Sequence, residues 1–111
     1  MDFDIIEKHF SIWRDKKLSL IQEVYAIDIE ITDPHAIAHG HQEAEALITG
    51  LQAKFPERRF RLRQPIEGHH HIARLFWAFG PDEEQEQVTG QDVLILENGK
   101  IAKLLIFIDP Q

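Results

Sequence analysis

The sequence predicts an α+β fold in the order helix, helix, strand, helix and then four strands joined as an antiparallel meander. Three observations carry this expectation. Apolar residues recur at helical spacing in three stretches before Pro56, period-two alternation dominates after it, and short turn sequences separate the later segments so that consecutive strands become neighbours.

Along the chain, Phe3, Ile6, Phe10 and Trp13 define the first helix, with Asp4 and Glu7 as a capping-box-like pair at its start. Ser19 and Gln22 repeat that signature ahead of Ile21, Val24 and Tyr25, giving a second short helix that feeds a strand over 27–33, which Pro34 ends. A loop holding His35, His39 and Gly40 leads into the third helix, whose apolar stripe is Ala44, Leu47, Ile48, Leu51 and Phe55 and whose stop is Pro56. Strands over 59–66, 69–79, 87–97 and 100–108 follow. They are separated by Glu67-Gly68, by Gly80-Pro81 with the acidic loop through Glu86, and by Asn98-Gly99, a strong signal for a tight hairpin. The last strand is apolar on both faces, so something must cover the second one. A second copy of the chain is the economical cover, and the expectation is a homodimer through the sheet with Leu104, Ile106 or Ile108 in the interface.

With 111 residues and 43% hydrophobic content, residues 1–111 suffice for a single domain that buries about two thirds of its unfolded surface. A formal charge of -7 argues against a nucleic-acid partner. The cluster Arg58, Arg59, Arg61 and Arg63 is the local exception. Its alternation sets Arg59, Arg61 and Arg63 opposite Phe60, Leu62 and Ile66, which reads as a solvated strand face in preference to an anion site. The absence of cysteine excludes disulfides and thiolate catalysis. No apolar run approaches the ~20 residues of a membrane span and no charged-then-apolar leader is present, so a cytoplasmic protein without a membrane partner is expected.

Two aspartates interrupt apolar strand faces. In the run Ile27, Ile29, Ile31, Asp33 the odd positions share a face, and in Val88, Gly90, Asp92, Leu94, Leu96 the even ones do. An inward carboxylate is either paired or left facing a cavity where it works on a proton, so the pattern points to a pocket. Structural alternatives exist for both. Asp33 could accept backbone N–H bonds in the turn after Pro34, and Asp92 could pair with Arg74 on the neighbouring strand.

The element order and a series of local strings resemble the SnoaL-like members of the superfamily that contains nuclear transport factor 2 and ketosteroid isomerase. The strings are Phe10 to Trp13, Tyr25-Ala26, Asp33-Pro34, Gly40, Phe55-Pro56, Arg74 with Trp77, Thr89-Gly90 through Asp92-Val93, Asn98-Gly99 with Ile101, and Phe107 through Asp109. The resemblance spans nearly the whole chain and implies a strongly curved sheet wrapped around the helices as a cone with a cavity at its wide end. It also implies that Asp33 falls on the general base of ketosteroid isomerases and Asp92 on their second, oxyanion-stabilising aspartate. The tyrosine those enzymes carry on the first helix matches Phe10, which has no hydroxyl, so an oxyanion hole would lose a donor. By the same resemblance, Asp92 or Asp109 could act as the acid/base of a polyketide cyclase.

The expected pocket is mostly apolar. Trp13, Tyr25, His39, Phe60, Arg74, Trp77 and Phe107 are its candidate ligand-binding residues, and a neutral or weakly acidic planar molecule fits it better than a phosphorylated one. No cofactor is expected. His69, His70 and His71 are consecutive in an expected strand, where only His69 and His71 could converge; His35, His39 and His41 share a loop without a recognised metal spacing. A pocket rim that titrates near neutral pH is the preferred reading over a metal site. Two function classes stand: an isomerase, cyclase or dehydratase using buried carboxylates on a hydrophobic carbonyl compound, and a non-catalytic small-ligand-binding or dimerisation module.

Overall fold

The N-terminal apolar stripe forms helix α1 (Asp4–Asp15), which buries Ile6, His9, Phe10, Ile12 and Trp13 along one face. In this computed structural model residues 2–81 and 88–110 are described, so the acidic loop through Glu86 and the first residue of the strand expected at 87 lie outside the described residues. The capping boxes do not form. Phe3 occupies the N-cap of α1 without a side-chain bond, while Asp2 accepts the Asp4 N–H at 2.9 Å and Asp4 pairs with Lys8 at 3.2 Å. Ser19 lies inside a 3-10 turn, Leu18–Leu20, that runs directly into α2 (Ile21–Val24). Elements this short are held by their packed apolar faces rather than by caps.

Strand β1 (Tyr25–Thr32) begins two residues before the expected start. Its register against the last strand shifts between Tyr25 and Glu30. The extra residues break the alternation: Ile27, expected inward, is 83% exposed, whereas Ile29 and Ile31 are fully buried. The expected loop contains a short strand, β2 (Ile37–His39), antiparallel to β1, and helix α3 (Gly40–Lys54) then lays Ala44 and Ile48 onto the sheet.

The remaining strands are β3 (Arg59–Leu62), β4 (Glu67–His69), β5 (Ile72–Gly80), β6 (Val88–Glu97) and β7 (Lys100–Ile108). One open, curved sheet runs β2-β1-β7-β6-β5-β3, with β4 also pairing β5. The β1–β7 pair is parallel and the others are antiparallel, so the meander stands and β1 is added to its far side. Asn98 and Gly99 take φ of 53° and 78°, the two left-handed positions that a type I′ hairpin turn needs. The histidine run is not one continuous strand, since only His69 belongs to β4. His70 has φ 53° and, with His71, turns β4 into β5.

Helices and cavity share one side of the sheet. On β7 that side receives Leu104, fully buried, and then Ile106 and Ile108; Lys103, Leu105 and Phe107 face outward, with Phe107 55% exposed. The expected interface residues therefore face the cavity side, with Leu104 fully buried and Ile106 and Ile108 partly buried. The cause is a register shift between Ile95 and Leu96: counting outward from the Glu97–Lys100 pair would set Leu105 opposite Asp92, and the shift sets Ile106 there instead. Among the described residues no helix is long and apolar enough to cross a membrane.

Candidate functional site

A cavity of about 440 Å³ opens between the helices and the sheet. Alpha1 contributes Phe10 and Trp13, the end of α3 contributes Leu51 and Lys54, and the turn after it contributes Phe55 and Arg58. Strands supply Phe60, Trp77, Phe79, Val88, Ile106 and Ile108. Asp33 and Asp92, singled out by strand alternation alone, both reach this one cavity, and His35 joins Asp33 in its wall.

The apolar wall is organised around Phe60. Its ring stacks on Phe79 with centroids 4.3 Å apart and receives the edges of Trp77 at 5.5 Å and Trp13 at 6.1 Å. Such offset and edge-on pairs add to the burial of the rings themselves. Gly90 makes room for this wall, because a Cβ there would collide with the Trp77 indole and the Phe107 carbonyl.

Asp92 is 7% exposed and stands at the cavity end of a buried polar chain. Trp77 Nε1–H donates to its Oδ1 at 2.9 Å, and its Oδ2 lies 3.0 Å from His9 Nε2. His9 Nδ1 is 2.6 Å from the Tyr25 hydroxyl, which also accepts the Trp13 Nε1–H at 2.9 Å. Donor counting assigns the protons. Trp13 uses the hydroxyl as an acceptor, and His9 Nδ1 is the acceptor within reach of the Tyr25 O–H, an arrangement that leaves the Nε2–H to donate to Asp92. The carboxylate thus accepts from both sides. Full burial pushes the Tyr25 hydroxyl far above its usual pKa, against the opposing Trp13 hydrogen bond and with a small contribution from the Asp92 charge, so it stays protonated.

Asp33 is held differently. Its Oδ1 accepts the N–H groups of His35 at 2.6 Å and Ala36 at 2.8 Å, the turn arrangement that the Asp-Pro step allows. Of the candidate ligand-binding residues, Trp13, Phe60 and Trp77 line the cavity, and Tyr25 sits behind it, fully buried. Three are outside it. Arg74 lies on the outer face paired with Glu67 at 3.2 Å, not with Asp92; His39 is exposed beside Glu30; Phe107 points away from the cavity. Asp109 accepts a hydrogen bond from Thr89 at 2.7 Å and is not in the cavity wall. Among the described residues no three histidine or carboxylate side chains converge as a metal site: His39 presents its backbone N–H to Glu43, and His41 Nε2 bonds the Tyr25 carbonyl.

Three polar or charged residues of the site carry chemistry that the sequence pattern did not single out: His9, Lys54 and Arg58. His9 lies three residues after Ile6 and four before Trp13, inside the apolar stripe of α1, and a polar residue in that stripe is the signal that was available. Lys54, in the last turn of α3, carried no signal that set it apart, and Arg58 was grouped with the basic cluster although it lies one residue before β3.

The chain matches the SnoaL-like domain over residues 6–104. No curated protein matches it in sequence. A SnoaL-like family protein from Agrobacterium tumefaciens, described as a candidate isomerase, superposes with a TM-score of 0.84 at 26% identity, covering 96% of this chain and 95% of that one. A candidate polyketide cyclase from Sinorhizobium meliloti follows at 0.80 and 16% identity, covering 93% of each chain. A candidate ketosteroid isomerase from Kribbella flavida gives 0.79 at 12% identity, covering 96% of this chain and 76% of that one. The last two establish a shared fold. The family match spans most of the chain and agrees with the architecture on which the cavity is built: the protein belongs to the SnoaL-like domain family.

Proposed function

We propose that the cavity binds a small, largely apolar planar carbonyl compound and that Asp92 moves a proton at the carbon beside its carbonyl, in a reaction of the isomerase, cyclase or dehydratase kind. The observation that carries this reading is a carboxylate at the cavity wall with a fully buried imidazole behind it. Each oxygen of Asp92 accepts one protein donor and keeps a further lone pair for the ligand, so the group can take a proton while His9 and Trp77 hold its orientation. His9 is absent from the cavity wall and acts as a positioning residue.

The test is solvent deuterium exchange, followed by NMR, at the α-carbon of planar aryl ketones that quench the tryptophan fluorescence on binding. Exchange above the buffer rate in the parent protein, abolished in Asp92→Asn while quenching persists, supports the reading; equal exchange in both removes it.

A second reading has its own support. Asp33 spends an oxygen on its own turn and Phe10 brings no hydroxyl to the cavity, so neither of the expected partners of Asp92 is equipped as in a steroid isomerase. This favours a binding module, for which quenching occurs without exchange. In either reading the protein works as a pair of copies joined through the outer sheet face, where Phe107 is exposed beside Leu105.

A further inference from the structure

The two cations in the cavity wall are the feature that the proton-transfer reading leaves unused. We propose that Arg58 and Lys54 form an anion subsite at the cavity mouth, which selects ligands carrying an ionised carboxylate on an otherwise apolar planar body. The inference rests on the proposed small-molecule cavity and names the class of molecule that it takes.

The charges in the cavity wall differ in how far the protein itself satisfies them. Among the described residues four formally charged side chains line the cavity: Asp33, Asp92, Lys54 and Arg58. Both carboxylates already accept two hydrogen bonds from the protein, Asp33 from its own turn and Asp92 from His9 and Trp77. The cations have no comparable partner. Among the described residues Arg58 has one ion pair, to the exposed Glu57 at 3.9 Å, and Lys54 has none.

The local chain geometry aims Arg58 at the mouth. Pro56 stops the helix, the Arg58 N–H closes a turn onto the Phe55 carbonyl at 3.1 Å, and the guanidinium comes to lie over the Phe55 ring 4.5 Å from its centroid and 6.0 Å from that of Phe79. A guanidinium placed over an aromatic face uses its π surface there and keeps its in-plane N–H donors for a carboxylate. Lys54 Nζ stands 5.5 Å from the same Phe55 ring. The basic cluster read from the sequence as a solvated strand face therefore divides: Arg59 is exposed and paired with Asp15 at 3.3 Å, whereas Arg58 turns into the cavity. An acid group held there leaves an aromatic body against Phe60, Trp77 and Phe79.

The experiment is a fluorescence titration with three probes of one shape: naphthalene carboxylate, its methyl ester and naphthyl phosphate. The carboxylate should bind roughly tenfold tighter than the ester, about what one additional charge-assisted hydrogen bond provides. Added salt should weaken the carboxylate and leave the ester unchanged. The Arg58→Gln, Lys54→Gln double variant should bind the two equally, Arg58→Lys should keep part of the preference, and the outer-face control Arg59→Gln should keep all of it. Equal binding of acid and ester to the parent overturns the subsite while leaving the cavity reading intact. A preference that survives in the double variant also overturns it, and so does naphthyl phosphate outcompeting the carboxylate. If no probe binds, the small-molecule cavity itself is wrong and the subsite falls with it.

Discussion

Replacing Tyr25 with phenylalanine removes one oxygen from the centre of the buried polar chain and keeps the ring. Tyr25 is fully buried, so no water replaces the hydroxyl. Its loss orphans the Trp13 Nε1–H and the His9 Nδ1 nitrogen together. Each buried polar group left without a partner costs roughly 1–3 kcal/mol, so Tyr25→Phe should lose about 2–6 kcal/mol of stability. In a domain of this size that lowers Tm by roughly 10–25 °C. Urea unfolding followed by circular dichroism measures it. There is a second signature at alkaline pH. The folded-state pKa of Tyr25 lies far above its unfolded value, so its contribution is fully present below about pH 10 and is lost as pH rises beyond it, at up to about 1.4 kcal/mol per pH unit. The chain has one tyrosine, so that slope should be missing from the variant. A Tyr25→Phe protein within about 0.5 kcal/mol of the parent, with the same alkaline slope, would refute the assignment of protons along Trp13, Tyr25, His9 and Asp92.

Other outcomes follow from the same contacts. Gly90→Ala should cost roughly 1–3 kcal/mol and shift tryptophan fluorescence, since the added methyl displaces the Trp77 ring; an unchanged spectrum and melt would show that the close approach relaxes freely. Asp33→Asn keeps an oxygen for the His35 and Ala36 N–H groups and should stay within about 0.5 kcal/mol of the parent, whereas Asp33→Ala should lose about 1–2 kcal/mol. Equal losses in the two variants would show that the charge, not the turn, is what matters there. Sedimentation should give a dimer that Phe107→Glu converts to a folded monomer, and a monomeric parent ends the idea of pairing through the outer face.

What was legible in the sequence depended on which periodicities survive folding. Asp92 was found because β6 alternates without interruption from Val88 to Leu94, so its phase fixes its face. The same reasoning placed Asp33 in the cavity wall but failed at Ile27, because the irregular register of β1 spoils the count between them. The three-residue β2 is too short to show any period. Alternation on β7 grouped Leu104, Ile106 and Ile108 correctly yet left their direction open, and a one-residue register shift that no sequence pattern announces decided it. His9 was legible and overlooked, a polar residue at a position where helical spacing calls for an apolar one. Arg58 was not: its direction comes from a turn closed by backbone hydrogen bonding, which carries no side-chain signature.

The link between His9 and Asp92 joins residues 83 positions apart, and this has a bearing on how the chain is made. Synthesis delivers α1 well before β6, with an imidazole in the face it will later bury, and the intervening elements must follow before the carboxylate that accepts from it is available. Until then, docking the complete face of α1 would strand a donor in an apolar surrounding. Final packing of α1 thus waits on β6, an element made long after it, so a helix formed early is expected to lock late.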